Sequence, residues 1–360
     1  MERYNIYQRR DGRWEGRISK GKGKNGKRRF QYFFGHSRDE VRDRMNKIQS
    51  YKSNQKDCSK TISEVFDEWY QSIQHRVKES TAANYFMKAH KHILSEFGNK
   101  AIDSIHSNDI YKFIELKRNQ QLSNRYIADI LILMKSIFKH AVKVYHVFNP
   151  LDGIILPKKK SPEIQLLDAN EQTRLSHYIA ENHNNTTLGI ALAMSTGIRI
   201  GELCALQWRD INLEKRILTV RKTIQRIQTS IETSRTKLII TEPKSESSKR
   251  CIPIPECMIS LLEKFKAGSE TFILSSNENP IEPRTMQYRF AKILKNVKLP
   301  SIHFHAIRHM FASNCVNLGF DIKALSELLG HSSVEITLNR YVHSAFEQKI
   351  KYMNRLKSVV

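Results

Sequence analysis

Four widely spaced clusters between residues 165 and 360 carry side chains suited to phosphoryl transfer. That chemistry needs fixed positive charge around a phosphate and proton handling at two oxygens. The first cluster is STGIRIGELCALQW, residues 195–208. Thr196 and Gly197 interrupt an apolar helix, and a new helix begins near Arg199 with Leu203 and Leu206 turned inward. Arg199 then sits at a helix start, beside backbone amides that also favour an anion. Glu202 follows one turn later on the same side and can orient Arg199, although an isolated Arg-x-x-Glu pair is more often an ordinary helix salt bridge. The second cluster is a pair of strand-like segments, KLIITEPKS and SSKRCIPIP, expected to pair with each other across the polar turn SESS. Lys244 lies where the first segment enters the turn, and a lysine on a hairpin tip can bring a proton to a bound phosphate. Lys249 competes for that role across the turn, and either reads equally well as a solvated lysine.

The third cluster, HFHAIRH at 303–309, opens a helix with Phe304, Ile307, Phe311 and Leu318 as its apolar face. His305 and Arg308 are three apart and project from neighbouring sides, so one can hydrogen-bond while the other clamps an anion. His303 and His309 are expected to point elsewhere, as structural or exposed residues. In the fourth cluster Asp321 caps a helix that stops at Gly330, His331 follows at once, and Ser332 with Glu335 suits the start of the helix VEITLNRYVH. Tyr341 lies ten residues after His331, and a tightly fixed turn lets both side chains reach one pocket.

The elements that must position these groups follow from composition and periodicity. The 360 residues are too many for one ordinary core, so two or three domains are expected. The formal charge of +24, from 60 Lys and Arg against 36 Asp and Glu, favours a polyanionic partner, nucleic acid first. No run of about 20 apolar residues appears and the opening MERYNIYQRRDGRW lacks the apolar core of a signal peptide, so a soluble cytoplasmic protein with no membrane partner is expected. Five scattered cysteines, without a CxxC pair, argue against structural zinc and a disulfide framework. Cys204 and Cys315 sit among apolar neighbours and read as core residues.

The fold class expected is α+β and multidomain: a small three-stranded β-sheet plus helix, then a helical bundle, then a mainly α catalytic domain with a small antiparallel β-sheet. Residues 1–58 are strongly basic and alternate through YNIYQRR, RWEGRIS and RRFQYFF, with turns between, followed by a helix with Val41, Met45 and Ile48 on one face. So small a sheet cannot hide both faces. One face, carrying Arg13, Arg17, Arg28 and Arg29 with Trp14 and Tyr32, is expected to meet a DNA groove. Residues 61–155 repeat apolar positions at helical spacing and form four or five helices, ended by Asn149-Pro150 and LPKKKSPE. Lys78, Lys88, Lys91 and Lys117 lie among them and read as solvated unless they meet phosphates.

Arg199, Lys244, His305, Arg308, His331 and Tyr341, within TGIRIGEL, HAIRHMFAS and LLGHSSVEITLNRYVH, resemble in order and context the catalytic set of the tyrosine recombinases of the phage integrase family. Ala306-Ile307 stands where that family commonly has Asp-Leu or Thr-Leu, at positions that back the helix. The resemblance extends to residues 1–58, similar to AP2-like domains that bind arm sites. It includes residues 61–155, similar to SAM-like core-binding domains through Ser80, Thr81, Asn84 and Tyr85. It implies an integrase of a prophage or an integrative conjugative element, acting without metal or cofactor. Tyr341 would be the nucleophile of a 3′-phosphotyrosyl link and His305 the group nearest its proton. The two arginines and His331 would hold the phosphate, and Lys244 would protonate the leaving 5′ oxygen. Implied partners are double-stranded DNA attachment sites, core and arm, three further copies of the chain in a tetramer, an excisionase and a DNA-bending host protein. Two other readings are a type IB topoisomerase and a non-catalytic DNA-binding regulator that keeps the fold.

Overall fold

Alternating residues near the amino terminus build an antiparallel sheet in the order β1 (Asn5–Gln8), β2 (Trp14–Lys22) and β3 (Arg28–Gly35). The computed structural model describes residues 5–9, 12–22, 28–53, 59–158, 165–228, 236–242, 249–341 and 353–354. It divides into two compact units, residues 1–161 and 162–360. The mixed α+β class, with small antiparallel sheets among many helices, is the one expected.

In the first unit, helix α1 (Arg38–Ser53) follows the sheet, and Ser37 Oγ accepts from the Glu40 amide at its start. Val41 and Met45 of α1 are buried with Phe33, and Ile6, Trp14 and Ile18 pack against them. This corrects the grouping of Trp14 with Arg17 and Tyr32. Side chains alternate along a strand, so Trp14 and Ile18 turn to the helix while Arg17, opposite Tyr32 in the register, takes the other face. That outer face carries exposed Tyr7, Tyr32 and Phe34, with the Arg17 guanidinium 5.2 Å from the Phe30 ring centre. Beneath them buried Glu15 accepts from the Tyr7 hydroxyl and from Arg9 at 3.0 Å. Arg13 is exposed just before β2, and the side chains of Arg28, Arg29 and Ile48 lie outside the described residues.

A second apolar cluster gathers α2 (Ile62–Gln74), α3 (Glu79–Lys88), α4 (Ser95–Phe97), α5 (Ser107–Asn119) and α6 (Asn124–Tyr145). One π-helical turn, Ala89–Leu94, joins α3 to α4. Thr61 and Glu64 close a capping box on α2, and Ser123 caps α6. Lys117 is not a solvated lysine. It is buried, in phase with Ile110, Phe113 and Ile114, and its ammonium meets Glu96 at 2.9 Å.

The second unit is built on α7 (Ala169–Glu181) and α8 (Asn185–Thr196), then α9 (Ile200–Cys204) and strands β4 (Ile211–Asn212), β5 (Ile217–Val220), β6 (Thr223–Gln228), β7 (Thr236–Thr241) and β8 (Arg250–Pro253). Helices α10 (Ile259–Phe265), α11 (Pro283–Asn296), α12 (His305–Asn317), α13 (Ile322–Leu329) and α14 (Val334–Tyr341) complete it. The expected pairing of KLIITEPKS with SSKRCIPIP is not observed. β7 pairs with β6, from Thr223 opposite Thr241 to Gln228 opposite Thr236, and β8 pairs with β5. Hydrogen-bond partners are chosen by register and burial, and RILTVRKTIQRIQ supplies two strands with inward Leu218, Val220, Ile224 and Ile227 that outcompete the nearer segment. The ends of β7 and β8 still meet through Glu242 and Lys249, 2.9 Å apart.

Leu203 and Leu206 are buried as expected, each burial contributing about 1.5–3 kcal/mol. Cys204 and Cys315 are buried too, and burial pushes their thiols up to about 12 and about 11. Leu318, expected on the inner face of its helix, is exposed because α12 stops at Asn317. Among the described residues, no helix is long and apolar enough to cross a membrane, and no group of three His, Cys, Asp or Glu side chains is placed to hold a metal ion.

Candidate active site

Local chain geometry places Arg199. Helix α8 runs to Thr196 and ends at Gly197, whose φ of 63° is left-handed. A Cβ at Gly197 would lie 2.4 Å from the Phe311 ring of α12, so only glycine permits both the turn and the contact. Arg199 is the N-cap of α9, its amide donating to Glu202 Oε2 at 3.1 Å. Gly201 has the backbone of β6 against it, with Ile224 O 2.8 Å from where a Cβ would stand. These constraints fix the start of α9 within the unit.

From that start the Arg199 side chain reaches Glu202 Oε1 at 2.7 Å and the Gly330 carbonyl at 2.8 Å. Arg308 is buried on α12 and donates to the carbonyls of Gly197, at 2.8 Å, and Leu329. Helix α13 begins at Asp321, which accepts from the Ala324 amide at 2.8 Å, and ends at Gly330 with φ of 62°. His331 comes next. Its amide donates to Ser326 O, and its Nδ1 lies 2.8 Å from the hydroxyl of buried Thr337 on α14. Arg199 and Arg308 therefore reach consecutive carbonyls of the turn that carries His331.

His305 opens α12 and is exposed. His309 is buried, as a structural residue, but does not point away from His305: four residues on, it meets that ring edge-on, with centres 4.8 Å apart. The i,i+4 spacing on a helix brings such pairs together, and this backing orients the His305 ring. His303 is exposed, with Nδ1 3.2 Å from Gln287 Nε2. Tyr341 is the last residue of α14, and its side chain lies outside the described residues, as Lys244 does altogether. The expected end of the α14 segment at His343 also lies outside them.

Arg250, at the start of β8, was not among the residues singled out from the sequence. Both of its Nη atoms bond Glu202, at 3.2 and 2.9 Å, and its Nε donates to Leu328 O at 2.6 Å. The available signal is its parity: Arg250 shares a strand face with buried Ile252, an inward charge that demands a partner. Burial pushes the Glu202 carboxyl up, but the guanidiniums of Arg250 and Arg199 outweigh it and hold the group below its ordinary value of 4.5. A carboxylate with a lowered folded value contributes stability that is present above 4.5 and is lost as pH falls through the lowered value. Unfolding midpoints in urea should accordingly drop less in Glu202→Gln than in the unsubstituted protein between about pH 5 and about pH 3. Parallel slopes in the two proteins would rule out this contribution.

The profile of the Phage integrase family matches residues 165–348, just over half of the chain. This protein belongs to the phage integrase family. It is a site-specific tyrosine recombinase, and the resemblance carried by the six spaced residues is borne out at the level of the family. A second profile, the phage integrase N-terminal SAM-like domain, matches residues 61–116. The recombinase is 28% identical to a "Tyrosine recombinase XerC-like" of Caldanaerobacter subterraneus subsp. tengcongensis, over 95% of each chain. It is 25% identical to the ICEBs1 integrase of Bacillus subtilis, over 70% of this chain and 71% of that one. Among solved structures, the Tn1549 transposon integrase in complex with transposon right end DNA aligns with a TM-score of 0.67 and 25% identity, over 83% of this chain and all of that one. A lambda integrase dimer bound to a core site shares the fold, with a TM-score of 0.61 at 20% identity over the whole of this chain.

Proposed function

We propose that this recombinase integrates and excises a mobile element, a prophage or a conjugative element, through the six residues Arg199, Lys244, His305, Arg308, His331 and Tyr341. The observation that carries the reading is that Arg199 and Arg308 reach consecutive carbonyls of the turn that carries His331, ten residues before Tyr341. Arg199 and Arg308 fork onto the non-bridging oxygens through charge-assisted hydrogen bonds while the carbonyls at the end of α13 hold their register. In this reading His331 donates to the phosphate through Nε2 while Thr337 holds Nδ1. The Tyr341 hydroxyl, ordinarily near pKa 10, passes its proton toward His305 as its oxygen attacks phosphorus. The bond from phosphorus to the 5′ oxygen breaks, Lys244 protonates that oxygen, and a 3′-phosphotyrosyl link remains. A 5′ hydroxyl from another strand reverses the step, because the link conserves the bond.

The same reading assigns three domains: residues 1–58 to arm-type sites, 61–155 to the core site and 165–360 to catalysis. On the first, Arg13, Arg17, Arg28, Arg29 and Tyr32 are the DNA-facing candidates, while Trp14 supports the sheet from its helix side. The assembly is a homotetramer on two core sites, in the cytoplasm, with an excisionase and a DNA-bending host protein setting direction and shape. The carboxy-terminal segment with Phe346, Ile350, Met353 and Leu356 at helical spacing would dock either on a neighbouring copy or on its own domain; apart from exposed Met353 and Asn354 it lies outside the described residues.

A supercoiled plasmid bearing paired DNA segments taken from the two ends of the element tests the function. Incubated with the protein in EDTA, it should yield inverted or deleted products that a plasmid without the pair does not. Relaxation of both plasmids would identify a topoisomerase instead, binding without strand exchange a regulator, and a strict Mg²⁺ requirement a different nuclease chemistry.

A further inference from the structure

Three consecutive carbonyls at the end of α13 each accept from a different arginine: Leu328 from Arg250, Leu329 from Arg308 and Gly330 from Arg199. The last carbonyls of a helix lack intrahelical donors and carry the negative end of its dipole, so they draw cations. Two of these arginines are the phosphate clamps proposed above. The third differs in its commitments. Arg250 has a side chain only 6% exposed, with both Nη atoms on Glu202 and Nε on Leu328 O, whereas the Arg199 side chain is 34% exposed.

We propose that Arg250 is a positioning residue for strand cleavage, which sets how much of the Arg199 guanidinium is available to the scissile phosphate. The proposal rests on the reading of Arg199 as a phosphate clamp. Glu202 brings one buried negative charge to two cations. While Arg250 holds both carboxylate oxygens, the Arg199 guanidinium takes only Oε1, with its amide on Oε2, and its charge is offset in part. Without Arg250 the full charge of Glu202 falls on Arg199, in a site where few water dipoles screen it, and the fork is drawn off the phosphate. Arg250 also pins the carbonyl next to those that hold Arg308 and Arg199, so the register of both forks depends on it. It opens β8, six residues after Lys244 in the sequence, and ties that strand to the end of α13.

Single-turnover formation of the covalent adduct on a nicked suicide substrate, with the full-length protein, tests this against DNA affinity from gel shifts. In Arg250→Met the rate at saturating DNA should fall about 100-fold while Kd changes by less than about threefold. Arg250→Lys, which keeps the charge without the fork, should regain about tenfold. Adding Glu202→Gln to Arg250→Met should also regain about tenfold or more, because it removes the charge that Arg250 no longer balances. A purely structural role would restore folding and cleavage together in the double variant, so the rates are compared only among variants that are equally folded. The proposal is overturned by an Arg250→Met rate within about threefold of the unsubstituted protein, or by Lys and double variants that fold, by near-ultraviolet circular dichroism, yet stay as slow as Met. If Arg250→Met does not fold, Arg250→Lys with and without Glu202→Gln reads the same coupling. No adduct from the unsubstituted chain would overturn the underlying reading, and an adduct insensitive to Arg250 would overturn this one alone.

Discussion

Tyr341→Phe should bind core-site DNA within about twofold of the unsubstituted protein and form no covalent adduct, a loss of about 10⁴-fold or more. The two effects separate because they draw on different parts of the molecule. Affinity comes from the sum of phosphate contacts over a chain of formal charge +24, to which one phenolic oxygen adds little. Bond formation to phosphorus needs that oxygen, and phenylalanine keeps the ring while removing it. The helix that carries the residue is fixed from its first turns, through the Thr337 hydroxyl on His331 Nδ1, so loss of the hydroxyl at its last position leaves the turn intact. A suicide substrate nicked beside the cleavage position, resolved on a denaturing protein gel, reads the adduct directly. Undiminished adduct in the phenylalanine variant would move the nucleophile to another residue.

Much of the candidate site was legible because it is held by local rules. Gly197 ends α8 two residues before Arg199, Glu202 holds Arg199 from three residues on, and α13, capped at Asp321, ends at Gly330 beside His331. The periodic burial of Ile110, Phe113 and Ile114 also shows why Lys117 turns inward, since it continues their spacing. The departures are of two kinds. Some went against a local rule that was available: Trp14 is out of phase with Arg17 on its strand, and His309 is in phase with His305 on its helix. Others were not local at all. That β7 joins β6 and β8 joins β5 depends on competition among strands, and Arg250 acquires its meaning only when that pairing brings it to Glu202, 48 residues away. Sequence order places Lys244 and Lys249 across one turn without saying which strands flank it.

The choice between those two lysines carries the second large effect. Lys249 meets Glu242 at 2.9 Å, so that to reach a leaving oxygen it must first leave this ion pair. Lys244 lies between these paired residues in the sequence, outside the described residues, and is the lysine to which the proposed function gives the leaving oxygen. Lys244→Ala should therefore slow cleavage of ordinary DNA about 10²- to 10⁴-fold, the usual worth of a general acid. Substituting sulfur for the bridging 5′ oxygen makes a leaving group that needs no proton, so on that substrate the same variant should come within about tenfold of the unsubstituted protein. Lys249→Ala should change either rate by only a few fold, as expected for an exposed ion pair. Recovery on the sulfur substrate by Lys249→Ala, with none by Lys244→Ala, would transfer the role to Lys249 and would require the Glu242 pair to open when DNA binds. Loss in Lys244→Ala on both substrates would instead make Lys244 a phosphate contact, because a missing charge slows the attack whatever atom departs.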